Sequence, residues 1–129
     1  MEKRKWDEYQ FGSLTFENIC RLYSSDKDIT FTKHPPFIRA YYAKDEKNQY
    51  AVRWNSYETG ADFVGESNEA ECFILSGECE ITINGKTNKL RTGECFKLPK
   101  CKYQFKVIGH EIFEYVKVYK LSNDFLVIK

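Results

Sequence analysis

The feature that most constrains the fold is residues 71–103, ECFILSGECEITINGKTNKLRTGECFKLPKCKY, in which short alternating runs are separated by glycines. Gly77, Gly85 and Gly93 stand where the chain has to turn, and Asn84-Gly85 is typical of a type I′ hairpin turn. Alternation with a period of two places successive side chains on opposite faces of a sheet. The stretch therefore predicts short antiparallel strands joined by tight turns.

The rest of the chain continues this pattern of short strands. Runs such as FIRAYYA, YAVRWNSY, KYQFKVI and EIFEYVKVY bring the count to nine or ten strands, with DITFTKH and the tail NDFLVIK as further candidates. Residues 1–12 are predicted to be an arm that either frays or pairs with a sheet edge. The segment SLTFENICRLYSS has apolar residues at helical spacing behind Ser13 and Thr15, either of which would cap a short helix. We therefore expect an all-β sandwich or barrel with at most one short N-terminal helix.

Composition excludes several classes of function. The chain has 129 residues, 42% hydrophobic and 16% aromatic, which is typical of a globular domain. Twenty basic and nineteen acidic residues nearly cancel, so nothing favours a nucleic acid or an anionic membrane as partner. No apolar run approaches the length of a membrane span, and the start MEKRKWDEYQ lacks the apolar core of a signal peptide. These two features predict a cytoplasmic protein. The five cysteines are odd in number in a chain that is not small enough to need disulfides, which favours reduced thiols, and no pair has the CxxC spacing of zinc ribbons or thioredoxins.

An ordered set of motifs between Trp54 and Val107 resembles the cupin superfamily. ECFILSG resembles the first cupin motif, INGK the following hairpin, and Gly93 to Pro99, GECFKLP, the second motif. VRWNSYETGADF is similar to the entry of the ureidoglycolate-lyase-like branch. The resemblance implies a cupin jelly-roll β-barrel over residues 29–129 of a single domain spanning 1–129, with the arm and the short helix over 1–28. It also implies a homodimer, as in many small cupins.

The sequence departs from the cupin pattern at the usual metal ligands. Metal-binding cupins carry two histidines and a glutamate in the first motif and a histidine in the second. Here Ala70 occupies the glutamate position, Glu66 lies near the second histidine position, and Gln104 occupies the histidine position of the second motif. The two histidines of the chain, His34 and His110, both resemble turn residues. Because zinc, iron and nickel favour imidazole or thiolate ligands, we expect no tightly bound metal and no other cofactor.

Glu71 and one residue of the KYQF segment are the candidate catalytic groups. Glu71 begins an apolar strand expected to line the barrel, where apolar walls would raise its carboxyl pKa and suit it to acid or base work. Alternation puts Tyr103 on the apolar face with Phe105 and Val107, whereas counting from the motif points to Gln104. We predict Glu71 and Tyr103 as the catalytic pair, and leave open which of Tyr103 and Gln104 faces the cavity.

A second set of polar residues is predicted to bind the ligand. Arg39, Tyr41 and Arg53 lie on early strands and would bind an anionic or hydroxylated molecule. Glu66 and Gln104 complete this set. The alternative for the arginines is a cross-strand ion pair with a glutamate. The alternative for Glu66 and the neighbouring glutamates is a carboxylate site for manganese or magnesium.

Three classes of function stay open after these comparisons with the cupin pattern. The first, which we predict, is binding of a small molecule in the barrel cavity without a tightly bound metal. The second is a cupin-type isomerase, epimerase or lyase that uses acid and base residues in the barrel. The third is a protein-interaction module whose barrel is filled by side chains. The missing histidines argue against a metal-dependent dioxygenase, and the sequence does not decide whether the protein is an enzyme.

Overall fold

The structure is a computed structural model that describes residues 2–23, 31–34, 38–44 and 49–120, with side chains described for 2–23 and 50–119. Two short helices and eleven strands are described. The helices are α1 (Glu8–Phe11) and α2 (Phe16–Tyr23). The strands are β1 (Lys3–Lys5), β2 (Phe31–His34), β3 (Ile38–Lys44), β4 (Gln49–Tyr57), β5 (Asp62–Ser67), β6 (Ala70–Ser76), β7 (Glu78–Ile83), β8 (Lys86–Arg91), β9 (Glu94–Leu98), β10 (Cys101–Ile108) and β11 (Phe113–Lys120).

The strands form two antiparallel sheets that pack face to face as a jelly roll. The larger sheet has seven strands in the order β1-β9-β6-β11-β4-β3-β2, and the smaller has four in the order β5-β10-β7-β8. The predicted all-β jelly roll is confirmed. Two details differ from the prediction: there are two short helices rather than at most one, and the described strands form two separate sheets rather than one closed barrel.

The main core lies between the two sheets. Aromatic rings fill one end of this interior, where Phe105 of β10 stacks on Phe63 at 5.2 Å between ring centroids and contacts Phe113 at the same separation. Tyr57 packs against Phe63 at 4.9 Å, and Tyr115 stacks on Phe105 at 5.8 Å. This end of the interior is therefore filled by aromatic side chains.

A second core covers the outer face of the seven-stranded sheet. Helix α2 buries Phe16, Ile19 and Cys20 against this face. The sheet contributes the buried residues Val52, Phe73, Cys95, Val116 and Val118. The central strands of the larger sheet are therefore buried on both faces, like the strands of a sheet covered by helices.

Local capping and edge pairing place the N-terminal segment. Thr15 caps α2, since its Oγ1 accepts a hydrogen bond of 3.1 Å from the backbone N–H of Asn18. Asp7 caps α1 in the same way, since its Oδ1 accepts a hydrogen bond of 3.1 Å from the backbone N–H of Gln10. Strand β1 pairs with β9, with Arg4 opposite Cys95, so the predicted edge-pairing arm is confirmed.

The predicted type I′ turn joins β7 and β8. Asn84 and Gly85 both have a positive φ, 52° and 78°, which this turn requires and which asparagine and glycine tolerate. Residues 28–30 of the candidate strand DITFTKH and the candidate strand over 123–129 lie outside the described residues. Within the described residues, neither helix has the length and apolar character needed to cross a bilayer.

Candidate functional site

Two cationic side chains point into the space between the sheets at the end opposite the aromatic core. In β11, Tyr115 and Tyr119 belong to the main core, and Lys117 is two residues from each of them, so it lies on the same inner face. Strand pairing sets Lys117 directly opposite Arg53 of β4 on one side and Cys72 of β6 on the other. The three side chains form one row across the inner face of the larger sheet.

Lys117 is half-buried, and its neighbours Tyr103 and Cys72 are neutral. Its Nζ lies 5.9 Å from the ring centroid of Tyr103, which projects from the opposite sheet. Burial lowers the pKa of Lys117, the positive charge of Arg53 acts in the same direction, and Cys72 opposes the change. The Cys72 thiol is fully buried, which raises its pKa to about 12 and keeps it neutral. Among the residues whose side chains are described, no carboxylate forms an ion pair with Lys117.

Arg53 lies at the solvent side of the same row. Its guanidinium carbon is 5.3 Å from the ring centroid of Tyr119. Within the described part of the chain, Arg53 likewise has no carboxylate partner. A cleft of about 190 Å³ opens here, lined by Arg53, Glu66, Ser67, Asn68, Lys117 and Tyr119. The cleft therefore combines two cations, hydroxyl and amide groups, and one carboxylate at its rim.

A glycine on the neighbouring strand leaves the space that the ring of Tyr103 occupies. Gly65 of β5 is its register partner, and a Cβ built on Gly65 would lie 2.7 Å from the phenol oxygen. A side chain at position 65 would therefore displace the ring of Tyr103. Burial raises the pKa of Tyr103, with Tyr57 and the nearby cysteines acting in the same direction. At neutral pH the phenol is protonated and available as a hydrogen-bond donor.

The structure resolves which residue of the KYQF segment faces the interior. Tyr103 faces inwards with Phe105, and it meets that ring edge-on at 6.4 Å between centroids. Gln104 lies on the outer face, where its Nε2 donates a hydrogen bond of 3.2 Å to Asp62. The alternation of the strand gives the correct orientation and the motif count does not. A role for Gln104 in binding a ligand inside the jelly roll therefore has no support from its position.

Glu71 lies on the outer face of the larger sheet, and this position corrects the expectation that it lines the cavity. Its Oε2 accepts a hydrogen bond of 2.9 Å from Nη2 of Arg4 and another of 2.9 Å from the hydroxyl of Tyr23. Burial, followed by the charge and hydrogen bond of Glu71, raises the pKa of Tyr23. Ala70 and Cys72, on either side of Glu71, belong to the main core, so the intervening side chain must point outwards. Glu71 and Tyr103 are therefore not brought together, and a catalytic role for either stays a prediction.

The remaining predicted ligand-binding residues are placed as follows. Glu66 is exposed at the rim of the cleft, where it forms an ion pair of 3.6 Å with Lys102. Arg39 is the register partner of Trp54 in β3 and β4, and Tyr41 is the partner of Val52. The side chains of Arg39 and Tyr41 lie outside the part of the chain whose side chains are described, so their predicted roles stay predictions.

The inward-facing residues do not fit the metal centre that the cupin pattern implies. Within the described ranges, no group of three or more His, Cys, Asp or Glu side chains could hold a metal ion. The inner positions of this region instead carry Tyr103, Cys72 and the two cations Arg53 and Lys117, which would repel a metal ion. The carboxylate alternative does not fit either, because Glu66 lies at the rim and Glu71 on the opposite face of the sheet.

Lys117, the most informative residue of the site, was not predicted from the sequence. Ser67, Asn68 and Tyr119 were not predicted either. Both faces of β11 are apolar, because Val116 and Val118 pack under α2 while the tyrosines face the other sheet. A lysine in such a strand gives no alternation signal of its own. The available signal was the placement of a charge within a strand that is apolar on both faces, EIFEYVKVY.

Comparison with known proteins identifies the fold. No protein-family model matches the sequence, and no curated protein matches it significantly. The chain is similar to the cupin domain of Cnp3 from Schizosaccharomyces pombe, with 23% identity and a TM-score of 0.54 over 69% of this chain and 63% of that one. It thus spans less than two thirds of that domain. It is also similar to KdgF from Halomonas sp., with 13% identity and a TM-score of 0.53 over 74% of this chain and 90% of that one. A cupin superfamily protein from Desulfitobacterium hafniense matches at 15% identity and a TM-score of 0.50 over 70% and 84% of the two chains. The chain therefore has the cupin fold.

Proposed function

We propose that this protein binds a small anionic molecule in the cleft between Arg53 and Lys117, without a resident metal. The observation that carries this proposal is the pair of adjacent cations on the inner face that have no carboxylate partner among the described residues. A half-buried cation without a partner is costly, and charges inside folded proteins are ordinarily paired. An anionic ligand would supply the missing partner.

The surroundings of the two cations indicate what such a ligand would contact. Arg53 offers the planar fork that matches a carboxylate or phosphate, and Lys117 offers a compact positive charge beside it. The hydroxyl and amide groups of Ser67 and Asn68 line the cleft and would provide neutral polar contacts. The ring of Tyr103 lies beside Lys117. A volume of about 190 Å³ suits a molecule of a few carbon atoms or one phosphate group.

The test is isothermal titration calorimetry with malonate and inorganic phosphate, using malonamide as the neutral equivalent of malonate. We expect at least one anion to bind and malonamide not to bind. Lys117→Met and Arg53→Gln should each weaken binding about ten- to a hundred-fold, the loss of one charge-assisted hydrogen bond. Lys89→Gln is the matched control, since Lys89 is an exposed lysine on β8 paired with Glu78 at 3.3 Å. Equal binding of malonate and malonamide, or equal weakening by all three substitutions, would contradict the proposal.

The acid–base enzyme remains a second candidate because of one residue. Tyr103 is an inward-facing, protonated phenol beside Lys117, so it would serve as the acid, whereas Glu71 on the outer face would not serve as its base. The filled-barrel interaction module has partial support, because the aromatic core occupies one end of the interior. Homodimer formation is a further prediction, tested by multi-angle light scattering of the samples used for calorimetry.

A further inference from the structure

We propose that Lys117 is a nucleophile that forms an imine with the carbonyl carbon of a small 2-oxo carboxylate, whose carboxylate group is bound by Arg53. This inference rests on the proposed function and names a substrate class for the same cleft. It starts from the position of Lys117 in the row of inward-facing side chains formed with Cys72 and Arg53.

An amine attacks a carbonyl group only when it is unprotonated. Proteins activate lysine by removing it from water or by placing a second cation next to it. Lys117 has both features, because it is half-buried between the sheets and faces Arg53 directly across the β4–β11 ladder. The lowered pKa of Lys117 has these same two causes, burial first. Other described lysines, such as Lys89 and Lys102, instead form exposed ion pairs with glutamates.

The spacing of the two cations favours a carbonyl next to a carboxylate. Directly opposed residues of an antiparallel pair have Cβ atoms about 5 Å apart. Both side chains also line the same cleft, so a carboxylate bound by the Arg53 guanidinium would leave the adjacent carbon of the ligand within reach of the Lys117 amine. A 2-oxo acid has its carbonyl at this carbon, so one small molecule satisfies both groups.

The proposed step balances without an oxidant or reductant. The nitrogen lone pair of Lys117 forms a bond to the carbonyl carbon, and the C=O π electrons move to oxygen, which takes up a proton. The nitrogen then loses its protons as the hydroxyl group takes up another and leaves as water, giving the C=N bond. The ring of Tyr103 lies beside Lys117, 5.9 Å from Nζ to the ring centroid, and its protonated phenol is the group that we assign to donate to the departing oxygen.

The test is reductive trapping with pyruvate and sodium cyanoborohydride at neutral pH, followed by intact mass measurement and peptide mapping. We expect one reduced pyruvate adduct, located on Lys117 and formed at least ten times faster than adducts on Lys89. Excess malonate, which has no carbonyl at the reacting position, should slow the labelling. Lys117→Arg keeps the positive charge but should lose the adduct, and Arg53→Gln should retain labelling at about a tenth of the rate.

Each outcome decides the matter. An adduct on Lys117 that malonate suppresses supports the imine. Malonate binding by calorimetry with labelling spread evenly over surface lysines overturns the imine and leaves the proposed anion binding standing. No malonate binding and no selective adduct overturns both. If Lys117→Arg fails to fold, the tenfold slower labelling of Arg53→Gln decides, and unchanged labelling of that variant contradicts the role given to the carboxylate.

Discussion

The packing of α2 on the outer face of the larger sheet predicts that Ile19→Ala strongly destabilises the protein. Ile19 is 0% exposed and lies in the second core with Phe16 and Phe73. The substitution removes three carbon atoms, worth about 0.8 kcal/mol each, or about 2.4 kcal/mol in transfer free energy. The cavity left under a helix that cannot fully collapse onto the sheet adds to this cost. We expect the free energy of unfolding to fall by about 3 kcal/mol.

Leu22→Ala is the control for Ile19→Ala, since Leu22 lies on the same helix and is 39% exposed. This substitution should change the free energy of unfolding by less than about 0.5 kcal/mol. The assay is urea unfolding followed by circular dichroism and by tryptophan fluorescence. Trp54 reports on the second core directly, because its ring stacks on Phe16 at 5.6 Å between centroids. A loss below about 1 kcal/mol for Ile19→Ala, or equal losses for both variants, would refute the docking of α2 as part of the fold.

Two further predictions concern charges on the two faces of the same sheet. Lys117→Met should raise the free energy of unfolding by about 1 kcal/mol at pH 7, since it removes a half-buried cation that has no carboxylate partner among the described side chains. The stabilisation by Lys117→Met should shrink as pH rises from the lowered pKa of Lys117 in the folded protein towards its unfolded value of about 10.4. In this range the unfolded state binds more protons than the folded state, so the stability of the wild-type protein rises with pH. A stabilisation that stays constant in urea unfolding experiments from neutral to alkaline pH would contradict the stated cause. Glu71→Gln should lower the free energy of unfolding by about 1 kcal/mol, less in high salt, by weakening the contacts with Arg4 and Tyr23. The affinity for malonate measured by calorimetry should be unaffected by Glu71→Gln. A changed affinity would indicate that Glu71 is part of the binding site.

Features governed by local chemistry were predictable from the sequence. Asn84-Gly85 specifies its own turn, because few other pairs tolerate two consecutive positive φ angles. Thr15 followed by apolar residues at helical spacing specifies the start of α2. The inward orientation of Tyr103 follows from the alternation of β10, whose other face is wet.

The orientation of side chains in β6 and β11 was not predictable from periodicity. Periodicity reports orientation only where one face of a strand is apolar and the other polar. In β6, the buried residues Cys72 and Phe73 point to opposite faces, because one faces the smaller sheet and the other lies under α2. The sequence gives no sign that residues 2–23 cover this sheet. Glu71 was therefore assigned to the wrong face, and Lys117 was not noticed.

The contrast between Glu71 and Lys117 is itself evidence about function. Both are half-buried charges on adjacent strands of the larger sheet, and Glu71 is the neighbour of Cys72, which pairs with Lys117. On the outer face the chain supplies Glu71 with a guanidinium and a phenol. On the inner face the described chain supplies Lys117 with a second cation, an aromatic ring and a neutral thiol. A charge with a structural role is stabilised by partners in its own chain, whereas a charge that lowers stability indicates a role in binding a ligand. The two substitutions test this distinction directly, because Glu71→Gln should lower the free energy of unfolding and Lys117→Met should raise it. If both lower it equally, Lys117 is a structural residue and the main evidence for a ligand in the cleft is lost.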